Sequence, residues 1–198
     1  MTTPPLLAFD QLRAGYAEPV VGPLSFQLRA GEVVGLAGPN GSGKSTVFNV
    51  LTGSARRFAG RIQRIDGDVI AFQAQTPYQG GELPLRGDEL FRIMGSDPKV
   101  LPQALSVLLP RRLDRLSGGQ RQSLVVWSAL GHPGAIVLLD EPTNNLDAQG
   151  RALLIEGLQH LAPHRAALVI SHDDAFLDQV CHRAVHLTPD GAPQPEAA

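Results

Sequence analysis

The eight residues Gly38–Ser45, GPNGSGKS, constrain this chain more than anything else in it. They fit the pattern G-x-x-x-x-G-K-[ST]. Before them runs Val33–Ala37, wholly apolar, as expected of a strand buried on both faces. After them Ser45–Leu51 reads as a helix closed by Gly53. Between a strand and a helix, glycines let successive backbone N–H groups turn toward one point, which makes a concave anion site at the helix N-terminus. The glycines Gly38, Gly41 and Gly43, with Asn40 and Ser42 between them and Thr46 just beyond, are the candidate cradle. Lys44 adds a point charge able to reach β- and γ-phosphates, and the Ser45 hydroxyl is a hard oxygen ligand for Mg²⁺. Lysine is scarce here, with Lys44 and Lys99 the only two against 15 arginines, so the placing of one of them in this loop is informative.

The rest of the chain says what surrounds the loop. Leu6–Leu12, Leu24–Leu28, Arg61–Ile65 and Val69–Phe72 are strand candidates in the first third. The middle is loop-rich, punctuated by Pro84, Pro98, Pro102 and Pro110, with helical patterns at Asp88–Met94 and Gln103–Leu109. The last third alternates: helix Gly119–Leu130, strand Ala135–Leu139, helix Ala148–Leu161, strand Ala166–Ser171 and helix Asp174–Val180. Apolar strands alternating with helices imply a mostly parallel sheet covered by helices, an α/β class. At 198 residues the expectation is one domain. Its core comprises residues 6–75 and 117–187, a small helical subdomain takes residues 76–116, and residues 188–198 read as a loose tail.

Charge and hydropathy narrow the partners. A net charge of −2 offers no cationic surface for a phosphate backbone, so no nucleic acid is expected. No apolar run approaches the roughly 20 residues that span a bilayer, and MTTPPLLAFD is not a secretory signal. One cysteine excludes an internal disulfide, and a cytoplasmic location is expected.

A second group of candidates follows the strand Ala135–Leu139. Ligands of a parallel sheet bind beyond the carboxyl ends of its strands, where the Gly38–Ser45 loop also lies. Asp140 is placed there to hold Mg²⁺ directly or through a water. Glu141 is placed to orient or deprotonate a water that attacks a γ-phosphate.

With LSGGQRQ at Leu116–Gln122 and LLDEPTNNLD at Leu138–Asp147 in order after GPNGSGKST, the chain resembles the ATP-binding cassette (ABC) ATPases over about Leu6–Leu187. The resemblance implies a P-loop NTPase fold with a mostly parallel core sheet, an antiparallel β part and a short helical insert. It implies ATP and Mg²⁺ as ligands and hydrolysis of the ATP. Tyr16 matches the aromatic residue that stacks on adenine. Gln75 matches the glutamine that senses Mg²⁺ and the attacking water, with Gln73 the second candidate two residues earlier. Ser117, Gly118, Gly119 and Gln120 match the signature that meets the γ-phosphate of ATP held by another subunit. Asp147 matches the loop that contacts the partner's site, and His172 the histidine that touches the γ-phosphate and steadies the water. Lys44, Gln75, Glu141 and His172 are thus the expected catalytic residues, and Ser45, Gln75 and Asp140 the metal set.

In such a family the loop of one subunit faces the signature of another, so a head-to-tail homodimer or heterodimer sandwiching two ATP molecules is implied. The implied function is the ATP-hydrolysing subunit of a transporter, working with a separate membrane permease from the cytoplasmic face. ELPLRGDELFRIMG, Glu82–Gly95, resembles the corresponding part of cassettes serving metal-ion and metal-chelate importers. DEPTNNLD and ISHDDAFLDQVCHRAVHL resemble the ribosome-acting members of the superfamily, so a soluble cassette acting on ribosomes or nucleic acid is the alternative. The helix after the signature departs from the family in reading SLVVWSAL, with Trp127. Cys181, His182 and His186 do not share a helix face and are read as structural rather than as a metal site.

Overall fold

The computed structural model describes residues 4–65, 69–74 and 85–193. Two sheets organise it. Strands β3 (Val33–Ala37), β6 (Ile136–Asp140) and β7 (Ala166–Ile170) are buried at every position, which is what an uninterrupted apolar run demands. With β5 (Ile70–Gln73) and β8 (Arg183–His186) they form a parallel sheet in the order β5-β6-β7-β3-β8. In register, Gly35 faces Val169 and Leu138 faces Leu168. Because β7 lies between β3 and β6, the carboxyl ends of β3 and β6 open on the same edge, one strand apart.

The second sheet is antiparallel, in the order β2-β1-β4, from β1 (Leu7–Gly15), β2 (Pro19–Leu28) and β4 (Arg56–Arg64). These strands are longer than the apolar runs suggest. β4 begins at Arg56 rather than Arg61, because an edge strand exposed on both sides carries arginines where a buried strand carries valines. The two sheets share one core, in which Leu7, Phe9, Leu12 and Leu24 pack with Leu36, Val47, Phe48 and Leu138.

Helices follow the strands as expected: α1 (Lys44–Thr52), α4 (Gly118–Leu130), α5 (Ala148–Gln159) and α6 (Asp174–Val180). Glycine at position 53 stops α1 in a left-handed cap, and Asp147 and Asp173 accept hydrogen bonds from the first turns of α5 and α6. The middle segment supplies α2 (Gly87–Ile93) and α3 (Gln103–Ser106), the latter ending before the Leu109 that the apolar spacing suggests. Its Leu90, Phe91, Leu105, Leu108 and Leu113 join α4 in the second core, so the described part of the insert packs on α4. Trp127 of α4 is also in that core, and a Cβ on Gly157 of α5 would stand 2.7 Å from its ring. Only a glycine lets α5 approach so closely.

The loose tail expected over 188–198 is corrected for its first part. Thr188 and Ala192 close a turn, Leu187 bridges Pro193, and the N–H of Gly22 donates to the carbonyl of Gly191 at 2.8 Å. Backbone hydrogen bonds within the turn and one to β2 hold what composition alone reads as frayed. Residues 194–198 lie outside the described residues.

Leu124 carries the junction between insert and sheet: it is fully buried and its side chain meets α2 at Gly87. Leu124→Ala is expected to lower the unfolding free energy by about 2–5 kcal/mol, read as a lower urea midpoint with an unchanged slope.

Candidate functional site

The loop between β3 and α1 is shaped by tight neighbours. Gly38 has φ 141° and Gly43 φ 90°. A Cβ would come 2.6 Å from the Leu187 carbonyl oxygen at Gly38, and 2.9 Å from Val21 Cβ at Gly43. Both positions need glycine for conformation and for space. Lys44, buried at the start of α1, reaches back to donate to the carbonyls of Gly38 at 2.7 Å and Pro39 at 2.9 Å. An ammonium has three donors, so this bracing of the loop leaves one for a phosphate oxygen. Burial holds the Lys44 ammonium below its ordinary pKa, and the nearby Glu141 and Asp140 carboxylates oppose that shift.

Across a cleft of about 330 Å³ stand Asp140 and Glu141, at the carboxyl end of β6. The cleft is lined by Asn40, Gly41, Gly43, Lys44, Ser45 and Thr46 on the loop side. Ser42, buried within the loop, does not line it, and its hydroxyl has no hydrogen-bond partner. Asp140 is pushed up to about 6, first by desolvation and then by the Glu141 charge, against the Ser45 hydroxyl bonded to it and the Lys44 ammonium. Its Oδ1 is buried with no hydrogen-bond partner. A buried, unpartnered carboxylate oxygen beside a serine hydroxyl is a hard-oxygen pair of the kind Mg²⁺ prefers, so the residues present fit that ion.

Glu141 sits at φ 51°, in the left-handed region that side chains other than glycine, asparagine and aspartate rarely enter. Its N–H is held by the Ile170 carbonyl at 2.8 Å, and its buried carboxylate Oε2 lies 2.8 Å from Nδ1 of His172. With Nδ1 facing the carboxylate, Nε2 is the ring nitrogen left for a ligand. The His172 side chain is 66% exposed, so Glu141 is its principal tether.

Ser117–Gln120 stand outside that cleft. The Ser117 Oγ accepts from the Gln120 N–H, and the Gln120 side chain accepts from the Ser117 N–H, each at 3.2 Å, so these two residues cap α4. The Ser117 hydroxyl proton remains available as a donor. A Cβ on Gly119 would lie 2.5 Å from the Asn145 carbonyl oxygen, while one on Gly118 would find space. The signature turn therefore rests on the segment leading to Asp147, which caps α5 by accepting from the Gly150 N–H at 2.7 Å. Tyr16 follows β1 and is half exposed, and its Oη accepts from Nδ2 of Asn49 on α1 at 2.7 Å.

Gln75 lies outside the described residues. Gln73 ends β5 with its amide donating to the Asp140 carbonyl at 3.2 Å and its Oε1 buried without a partner. Sequence reading has Gln73 as the second choice to Gln75 and misses Asn145, at φ 64° beneath Gly119. Asparagine's tolerance of the left-handed region was the available signal for Asn145 in PTNNLD. For the Cys181–His186 group, His182 Nδ1 accepts from the Val33 N–H at 3.0 Å, and burial pushes the Cys181 thiol up to about 12. Both are engaged in packing β8 onto β3.

Comparison with known proteins gives the family and the fold. Residues 21–144 match the family described as ABC transporter. The zinc import ATP-binding protein ZnuC of Yersinia pestis bv. Antiqua (strain Antiqua) is 32% identical over 187 residues, covering 88% of this chain and 74% of that protein. ZnuC of Paracoccus denitrificans (strain Pd 1222) is 32% identical over 99% of this chain and 82% of its own length. Among solved structures, an ATP-binding subunit of an ABC transporter superposes with TM-score 0.83 at 26% identity, covering 96% of this chain and 88% of that one. An inward-facing metal-chelate type ABC transporter shares the fold with TM-score 0.78 at 24% identity, over 94% of this chain and 81% of that one.

The burial of Asp140 has a measurable consequence. An ordinary aspartate titrates near 3.9, so a folded-state value of about 6 means the folded chain keeps a proton that the unfolded chain has released. Ionising Asp140 therefore removes stability as pH rises from about 4 through about 6. Asp140→Asn lacks that penalty. Without nucleotide or magnesium, its melting temperature should match the parent's near pH 4 and exceed it by about 2–5 °C at pH 8. A gap that fails to widen with pH refutes the burial argument.

Proposed function

The chain belongs to the ABC transporter family of ATP-binding proteins, and from that premise we propose that it binds and hydrolyses ATP as one half of a head-to-tail cassette dimer that drives a separate membrane permease. The observation that carries the reading is the division of the site. Lys44, Ser45, Asp140 and Glu141 share one cleft, while Ser117–Gln120 lie outside it. A triphosphate gripped by the first group meets the second only if another cassette supplies it.

The proposed roles join the geometry of the cleft to what the family resemblance implies. Backbone N–H groups of the loop and the third Lys44 donor take the phosphates, and the Tyr16 ring stacks on adenine, a contact worth roughly 1–3 kcal/mol. Ser45 and Asp140, with Gln75, would hold Mg²⁺, which when bound neutralises charge on the β- and γ-phosphates. Glu141 orients the attacking water and accepts its proton, and His172 presents Nε2 to the γ-phosphate. Ser117, Gly118, Gly119, Gln120 and Asp147 of the opposing cassette, a second copy or a paralogue, close the sandwich. Loss of the γ-phosphate removes the contacts that hold the halves together, which converts hydrolysis into movement.

Among the described residues no helix is long and apolar enough to cross a membrane. By analogy with relatives described as ATP-binding proteins of import systems, the permease is assigned to another polypeptide, docked on the helical insert from the cytoplasmic face. The relatives named for zinc import, and the fold neighbour of metal-chelate type, favour a metal ion or its chelate as the cargo.

Glu141→Gln is expected to abolish turnover and to trap an ATP-bound dimer, seen as a doubled mass by sedimentation with ATP and magnesium. Lys44→Ala is expected to lose ATP uptake by calorimetry. Hydrolysis by Glu141→Gln at the parent rate removes the base assignment, and unchanged uptake by Lys44→Ala removes the site. Co-purification with a membrane-embedded protein supports the transporter role, whereas co-purification with ribosomes overturns it.

A further inference from the structure

His172 needs something besides its own contact to keep its ring on Glu141, since most of that side chain faces solvent. The support lies in the loop that carries it. The N–H of Asp173 donates to Ser171 Oγ at 3.1 Å, and Asp173 Oδ1 accepts from the Phe176 N–H at 2.9 Å as the cap of α6. The other carboxylate oxygen, Oδ2, takes the Arg151 guanidinium in an ion pair. Arg151 also lies over the ring of Phe176, 5.5 Å from its centroid, and Phe176 is fully buried. On its own helix, Arg151 follows Asp147 by one turn, and its N–H donates to the Asp147 carbonyl at 2.9 Å.

Resting on the hydrolytic reading above, we propose that Arg151 is a positioning residue: it ties the Ser171–Asp173 loop to the first turn of α5, and so holds the His172 ring on Glu141 in register with the segment that reaches a second cassette. The pair is partly exposed, 31% for Arg151 and 29% for Asp173, and pairs of that kind add little to global stability. Its geometry has a different effect. Both Asp173 oxygens are engaged, so the loop has one orientation, and the arginine that fixes it belongs to the helix capped by Asp147. A shift of that helix start on meeting a partner moves the guanidinium and, with it, the loop beside the water-activating carboxylate.

The test is steady-state hydrolysis by the purified chain, paired with nitrogen NMR of the six histidine rings, that of His172 assigned by its loss in His172→Gln. Arg151→Ala should reduce kcat about tenfold with KM for ATP within twofold, and Arg151→Lys should recover most of kcat. Asp173→Asn keeps a cap for α6 and should match Arg151→Ala, with the double variant no slower than either single one. The His172 Nδ1 signal should lose its carboxylate-bonded position in Arg151→Ala. Unchanged kcat in Arg151→Ala, additive losses in the double variant, or an unmoved His172 signal overturns the proposal. An inactive parent chain overturns the hydrolytic reading instead, and the NMR comparison still judges the role of Arg151.

Discussion

A lysine and two adjacent carboxylates are held almost out of water at one edge of a parallel sheet, and the fold is arranged around making that tolerable. Lys44, Asp140 and Glu141 are each less than a tenth exposed. Isolated, any one of them would be costly to bury. Lys44 offsets part of the cost of the two carboxylates, which repel each other, but only because β3 and β6 flank a single strand and bring their carboxyl ends to one edge. The all-apolar strands that enforce this order are thus as much a part of the chemistry as the charged groups. A slip of one strand in the sheet would strand a buried charge.

The same economy of placement appears in the turn after β6. Within eight residues the chain provides a buried carboxylate at Asp140, a left-handed glutamate at Glu141, a left-handed asparagine at Asn145 and a helix cap at Asp147. The first pair faces the cleft, while the asparagine carbonyl supports the turn at Gly119. The cleft-lining carboxylates and the support of the Gly119 turn are therefore built on one short stretch of backbone, with little room for either to move alone.

Much of this was legible in the sequence, for physical reasons that differ by element. β3, β6 and β7 announce themselves because a strand buried on both faces can contain almost nothing polar. Gly38, Gly43 and Lys44 are legible because few residue types fit the conformation and charge that the loop requires. The first half of β4 is not, since an exposed edge strand imposes no apolar period and its arginines at 56 and 57 look like loop, whereas the strand from Arg61 was legible. The turn at 188–193 is held by its own main-chain bonds and one to β2, which leave no trace in side-chain pattern. Nor does local sequence show the left-handed backbone of Glu141. Its conformation follows from the pull of Ile170 and His172, residues distant in the chain. Choosing between Gln73 and Gln75 is likewise a question of which side chain faces inward at the end of β5, and only Gln73 lies among the described residues.

Trp127 is the one tryptophan in the chain, and it stands where the helical insert, α4 and α5 meet, pressed against Gly157. Its indole emission is therefore a built-in optical gauge of that junction, with no background from a second indole and no label to attach. Any rotation of the insert relative to the sheet changes the polarity around a single chromophore.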